Sequence, residues 1–233
     1  MPDAVVEPVL EPSGPWTDPD YVAAVTDLLG VVAYGELQAF HRIAADAGMA
    51  PDLEANAAVS AMAINEFAQF ARLRDYMVSR GIDPVAAMAP FVRSIDEFHL
   101  STAPSDWLEG LVKVYVGDGI ADDFYAEISR FVDPETGELI RSVTSDRGQV
   151  EFVVYTVRDA MEQDPRVAGR LALWGRRLVG EAVSQAQRVA VDRDAMTHLL
   201  AGDSGADLAE ISRLFARMTD NHTARMAALG LKA

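Results

Sequence analysis

The sequence predicts an all-α protein, a four-helix bundle followed by two further C-terminal helices. Three observations predict it. Apolar residues recur at spacings of three and four over long stretches, the pattern of helices that each bury one face. No stretch of convincing length shows the two-residue alternation of a half-buried strand. Prolines and capping side chains fall where these stretches begin, and several glycines fall where they end.

In chain order, residues 1–17 hold Pro2, Pro8, Pro12 and Pro15 with little periodicity, and read as an extended or disordered arm. Residues 18–233 read as a single helical domain. Thr17 or Asp18 caps a first helix that runs to about Ala47 and stops at Gly48, with Pro19 in its first turn. Pro51 opens a second helix, which ends near Gly81. A shorter helix is expected over 84–100, punctuated by Pro84 and Pro90. Ser105 or Asp106 caps a third helix reaching about Val132, and Asp133-Pro134-Glu135 starts a fourth that ends before Pro165. A fifth helix is expected over 166–200, a turn from Gly202 to Gly205, and a last helix over 207–229. Two long hairpins joined by a longer crossover match the connectivity of ferritin-like bundles, so 18–165 is the bundle and 166–233 the addition.

Composition narrows the function. Half of the 233 residues are hydrophobic, enough for a sizeable core, and the net charge is −16. That charge is the reverse of a nucleic-acid footprint. There is no cysteine, which removes disulfides and thiolate metal sites and fits a reducing compartment. No basic-then-apolar leader opens the chain, and every long apolar stretch carries charges. The expectation is a cytoplasmic protein without a membrane segment.

Each bundle helix carries an acid on its apolar stripe. The first helix has Val22, Val25, Leu29 and Val32, then Glu36, then Phe40 and Ile43. The second has Val59 and Met62, then Glu66 and Gln69, then Leu73 and Tyr76. The third runs Leu108, Leu111 and Tyr115, then Asp118 and Asp122, then Tyr125. The fourth runs Leu139, Val143, Asp146, Val150 and Val153. Glu36 and Glu66 are 30 residues apart, and Asp118 and Asp146 are 28 apart. In antiparallel hairpins this spacing sets each pair at one level. Buried unpaired carboxylates cost several kcal/mol each, so a shared site calls for bound cations, protons or hydrogen-bond donors.

These residues, with Tyr34-Gly35-Glu36, Asp106-Trp107-Leu108-Glu109, Val116-Gly117-Asp118-Gly119 and the run from Leu171 to Leu178, resemble the ferritin-like family related to the tRNA methylthio-isopentenyladenosine hydroxylase. The resemblance covers roughly residues 18–230. It implies a non-haem di-iron oxidoreductase, with one carboxylate from each of two helices and a carboxylate-x-x-His from each of the other two. Glu36 and Asp118 match the single carboxylates. Glu66 and Asp146 match the first positions of the two motifs. At the histidine positions this chain has Gln69 and Gln149.

Glu36, Glu66, Gln69, Asp118, Asp146 and Gln149 are therefore the candidate metal site. A Gln carbonyl is a weaker and harder ligand than imidazole, suited to Mg, Ca or Mn rather than iron. The expectation is a site that is metal-free or holds another divalent cation, with iron absent or substoichiometric. The alternative to a hydroxylase is a non-catalytic binding or assembly module. His41, His99, His198 and His222 read as surface or hydrogen-bonded residues, and Glu109 as a helix-dipole acid. The expected partners are a small molecule or modified nucleoside, and a homodimer is a possible assembly.

Overall fold

The computed structural model describes residues 14–144, 150–192 and 208–233, and every regular element among them is helical. The part of the expected N-terminal arm from Gly14 to Thr17 is not extended. It is one 3-10 turn, closed by the Thr17 hydroxyl donating to the Gly14 carbonyl at 2.9 Å. Gly14 takes a positive φ of 58°, which glycine adopts without steric cost.

Helix α1 spans Pro19–Asp46, and α2 spans Leu53–Ser79. Asp18 caps α1 by accepting from the Asp20 amide at 3.0 Å, and Asp52 caps α2 by accepting from the Ala55 amide at 2.8 Å. The crossover consists of α3 (Pro84–Met88), a 3-10 turn and α4 (Val92–Ser101), and it lies against α1. Gly30 of α1 permits that approach, because a β-carbon there would drive into the Ala87 carbonyl.

The third helix was expected to be continuous. It is α5 (Trp107–Val112) and α6 (Gly119–Ile128), joined by a π-helical segment, Lys113–Asp118. Gly110 and Gly117 lie at this segment, where small residues admit close neighbours. A β-carbon on Gly110 would lie 3.3 Å from the Asp46 carboxylate, and one on Gly117 would lie 3.9 Å from Leu178. Asp106 caps α5 by accepting from the Glu109 amide at 3.0 Å. Asp133 caps α7 (Pro134–Thr144), accepting from the Thr136 amide at 3.2 Å. The fourth bundle helix resumes as α8 (Val150–Gln163). Residues 145–149, and with them Asp146 and Gln149, lie outside the described residues.

The two further helices are α9 (Arg166–Asp192) and α10 (Leu208–Ala228). The remainder of the expected fifth helix and the Gly202–Gly205 turn lie outside the described residues. Both helices are fastened to the third bundle helix by polar contacts at its rim. Trp174 donates its indole N–H to the Glu109 carbonyl at 2.9 Å, and Arg170 pairs with Asp106 at 2.7 Å. Arg225 pairs with Asp123 at 2.6 Å, and Arg217 makes a two-pronged contact with Glu127 at 2.8 and 2.7 Å. Glu109 is buried and held by Arg170 and Ser105, so its work goes beyond the helix dipole. Arg176 and Arg177 are exposed and tie down the Lys232 and Ser101 carbonyls.

The buried apolar residues divide into two halves. One gathers Ile43, Met62, Leu111, Leu171, Leu178 and Met226, so it includes both added helices. The other gathers Leu28, Leu29, Leu73, Met77, Ile128 and Ile140. Each such side chain contributes about 1.5–3 kcal/mol through burial. Pro19–Met49 is long and apolar enough to cross a membrane, but 61% of its apolar window is buried inside this fold. Its hydropathy is that of a core helix.

Candidate functional site

Along α1, Val32 and Ala33 belong to one half of the core, and Ala39 and Ile43 to the other. Glu36 stands between them. Along α2, Met62 and Ala63 belong to one half, Phe70 and Leu73 to the other, and Glu66 and Gln69 stand between. The acids thus form a polar layer at the seam of two apolar halves. A cavity of about 180 Å³ opens at this layer, and Glu36, Glu66, Gln69, Asp118 and Asp122 all line it.

Glu36 is 5% exposed and Gln69 is 5% exposed, while Glu66, Asp118 and Asp122 are half-buried. Burial drives the Glu36 carboxyl well above the usual carboxylate range. The charges of Glu66, Asp122 and Asp118 push in the same direction, as does a hydrogen bond in which the protonated Glu36 donates to Glu66. Tyr125, also buried on this lining, has its phenol raised by burial and by the Glu36, Asp122 and Asp118 carboxyls. Asp118 and Asp122 both lie on the apolar stripe of the third helix. The structure places both on the cavity, because they are one helical turn apart on one stripe.

The rest of the lining is mostly apolar, with Val31, Ile95, Phe98 and Phe124 among its side chains. Asn65 and His99 also line it. His99 departs from the expectation of a surface or hydrogen-bonded residue. It is 6% exposed, and its Nδ1 has no hydrogen-bond partner among the described residues. Burial, with the positive charges of Lys113 and Arg42, lowers its pKa to about 3, so the ring is neutral. Lys113 is itself 4% exposed and donates to the Thr102 carbonyl at 2.8 Å. Its pKa falls to about 8 through burial, opposed by Asp118 and Asp46. His222 is likewise buried with Nδ1 unpaired, whereas His41 and Glu151 are exposed. His198 lies outside the described residues.

The donor set decides which ions suit the site. It offers carboxylates and carboxamides, and the imidazoles of the di-iron pattern are replaced at Gln69. His99 comes from the crossover helix, three residues after Asp96, whose carboxylate accepts from the Tyr34 hydroxyl at 2.9 Å. Among the described residues, no group of three Asp, Glu or His side chains is arranged to hold a metal ion. Glu36, Glu66, Asp118 and Asp122 share the cavity, and Asp146 and Gln149 lie outside the described residues. Among the described residues, this donor set has a carboxamide at position 69, where the di-iron pattern has an imidazole.

A family model described as the ferritin-like domain of actinomycetes matches residues 19–203. The chain belongs to this family. No curated protein matches it, so the relationship to the tRNA hydroxylase rests on the quoted motifs alone. The matched span of the ferritin-like domain begins at the first residue of α1 and reaches past the end of α9. It therefore includes the first of the two added helices and ends before α10.

Proposed function

We propose that this ferritin-like protein binds a small, mainly apolar molecule carrying a protonated nitrogen, and that the mid-bundle carboxyls receive that nitrogen. The observation that carries the reading is Glu36, almost wholly buried among three further acids in a cavity whose other walls are mostly apolar. Such a cluster is relieved either by protons or by a positive group brought in from outside. An ammonium group supplies up to three donors to carboxylate oxygens, and the apolar walls take the attached hydrocarbon. With a carboxamide at position 69, an organic cation is a counter-charge that suits both parts of the lining.

The second reading is a metal-dependent hydroxylase of a modified nucleoside. The placement of Glu36, Glu66 and Asp118 on three bundle helices around one cavity favours it. The glutamine at position 69 opposes it, and the net charge of −16 opposes whole tRNA as the substrate.

Titration calorimetry with hexylamine, hexanol and hexanoate separates charge from hydrocarbon. Hexylamine is expected to bind more tightly than hexanol by about tenfold or more, as one charge-assisted contact implies. Hexanoate is expected to bind most weakly, because its charge repeats that of the site. Glu36→Gln should remove most of the preference for the amine. Equal affinity for hexylamine and hexanol would sink the reading.

A further inference from the structure

The outward face of α2 is apolar over most of its length. Leu53 is 87% exposed, Ile64 67% and Phe67 42%, and Ala57, Ala61 and Ala68 are exposed beside them. Ala57, Ala61, Ile64, Ala68 and Ala71 follow one another at alternating spacings of four and three, the pattern of a helix seam that packs on another helix. Within the chain, nothing described covers this seam. A continuous exposed apolar strip on a helix marks an interaction surface.

The charges flanking the strip state which partner fits. Glu54 and Arg72 are both exposed and stand 18 residues apart, at the two ends of the strip. That separation is five full turns at about 3.6 residues per turn, so both occupy the same flank, about 27 Å apart along the axis. If two α2 helices pair antiparallel about the level of Ala63, Glu54 of each lies beside the partner's Arg72. The strip is then complementary to itself in charge as well as in apolarity. Arg72 uses one nitrogen to donate to Ser142 at 2.7 Å, which holds the side chain on that flank.

We propose that α2 forms a two-fold, antiparallel interface with a second copy of this chain. The small side chains at Ala57, Ala61 and Ala68 let the helix axes approach closely, with Ile64 near the centre and a Glu54–Arg72 pair at each end. Such an interface is isologous, as a two-fold axis requires. It stands independently of what the bundle cavity binds.

Sedimentation velocity on the full chain tests it. The unaltered protein is expected to sediment as a dimer. Ile64→Glu is expected to give a monomer with an unchanged circular dichroism spectrum, because that side chain faces solvent within the chain. Glu54→Arg should weaken association at least several-fold, and Glu54→Arg combined with Arg72→Glu should restore it. Monomeric unaltered protein, or a dimer indifferent to Ile64→Glu, would overturn the interface. Failure of the charge exchange to restore association would overturn the antiparallel register.

Discussion

Glu36→Gln is expected to raise the melting temperature at pH 8 and to flatten the decline in stability that the unaltered protein shows on going there from pH 6.5. Burial and three neighbouring acids hold the folded Glu36 carboxyl well above its ordinary value of 4.5. Above pH 4.5 the unfolded chain has released this proton while the folded chain retains it. The folded state then binds more protons, so stability falls with rising pH until the folded pKa is passed. His99 acts in the opposite sense, but only between about pH 3 and 6.5, where the unfolded ring protonates and the folded ring does not. Lys113 opposes Glu36 only between about pH 8 and 10.5, where the unfolded amine holds its proton and the folded amine has lost it.

Between about pH 6.5 and 8 neither His99 nor Lys113 opposes Glu36. The decline per pH unit is at most about 1.4 kcal/mol for one proton. In a chain of this size that is a few degrees of melting temperature per unit. Gln keeps the shape and a donor while removing the ionisation. Calorimetric melting at both pH values measures the difference. A variant that melts lower than the unaltered protein at pH 8 would show Glu36 ionised and favourably paired.

Gly30→Val is expected to be the most damaging single substitution in the crossover contact. A side chain there must displace the Ala87 backbone, which has no flexible end to yield. Overpacking of this kind costs about 1–3 kcal/mol or more, a fall on the order of 10 °C in a domain this size. The damage should extend beyond α1. The crossover also carries Ile95, Phe98 and His99 onto the cavity, so displacing it disturbs that wall. Hydrogen exchange should quicken in α3 and α4 before it quickens in α2. A melting temperature unchanged from that of the unaltered protein would contradict the close approach.

These two sites differ in how far the sequence announced them. The helix starts at Asp18, Asp106 and Asp133 were readable because capping is local, a matter of a carboxylate and the amides two or three residues ahead. Glu36, Glu66 and Asp118 were readable because an acid on a three-and-four apolar stripe has few places to point. The π-helical segment between Lys113 and Asp118 was not, since one extra residue in a turn leaves the apolar stripe nearly intact. His99 was missed for a different reason. The crossover is short, and which of its faces meets the cavity depends on how closely α3 seats on Gly30, a contact between distant parts of the chain. The turn at Gly14–Thr17 was hidden by the prolines around it, which suit a tight turn as well as an extended arm.

On the proposed reading, the carboxyl layer receives a proton or an organic cation rather than two irons. Metal analysis of the protein, purified without chelator from cells grown with ample iron, tests it most directly. With glutamine at positions 69 and 149, where the di-iron pattern has histidine, iron is expected well below one atom per chain. Two irons per chain, with the absorption of a carboxylate-bridged pair, would contradict the claim and restore the hydroxylase reading.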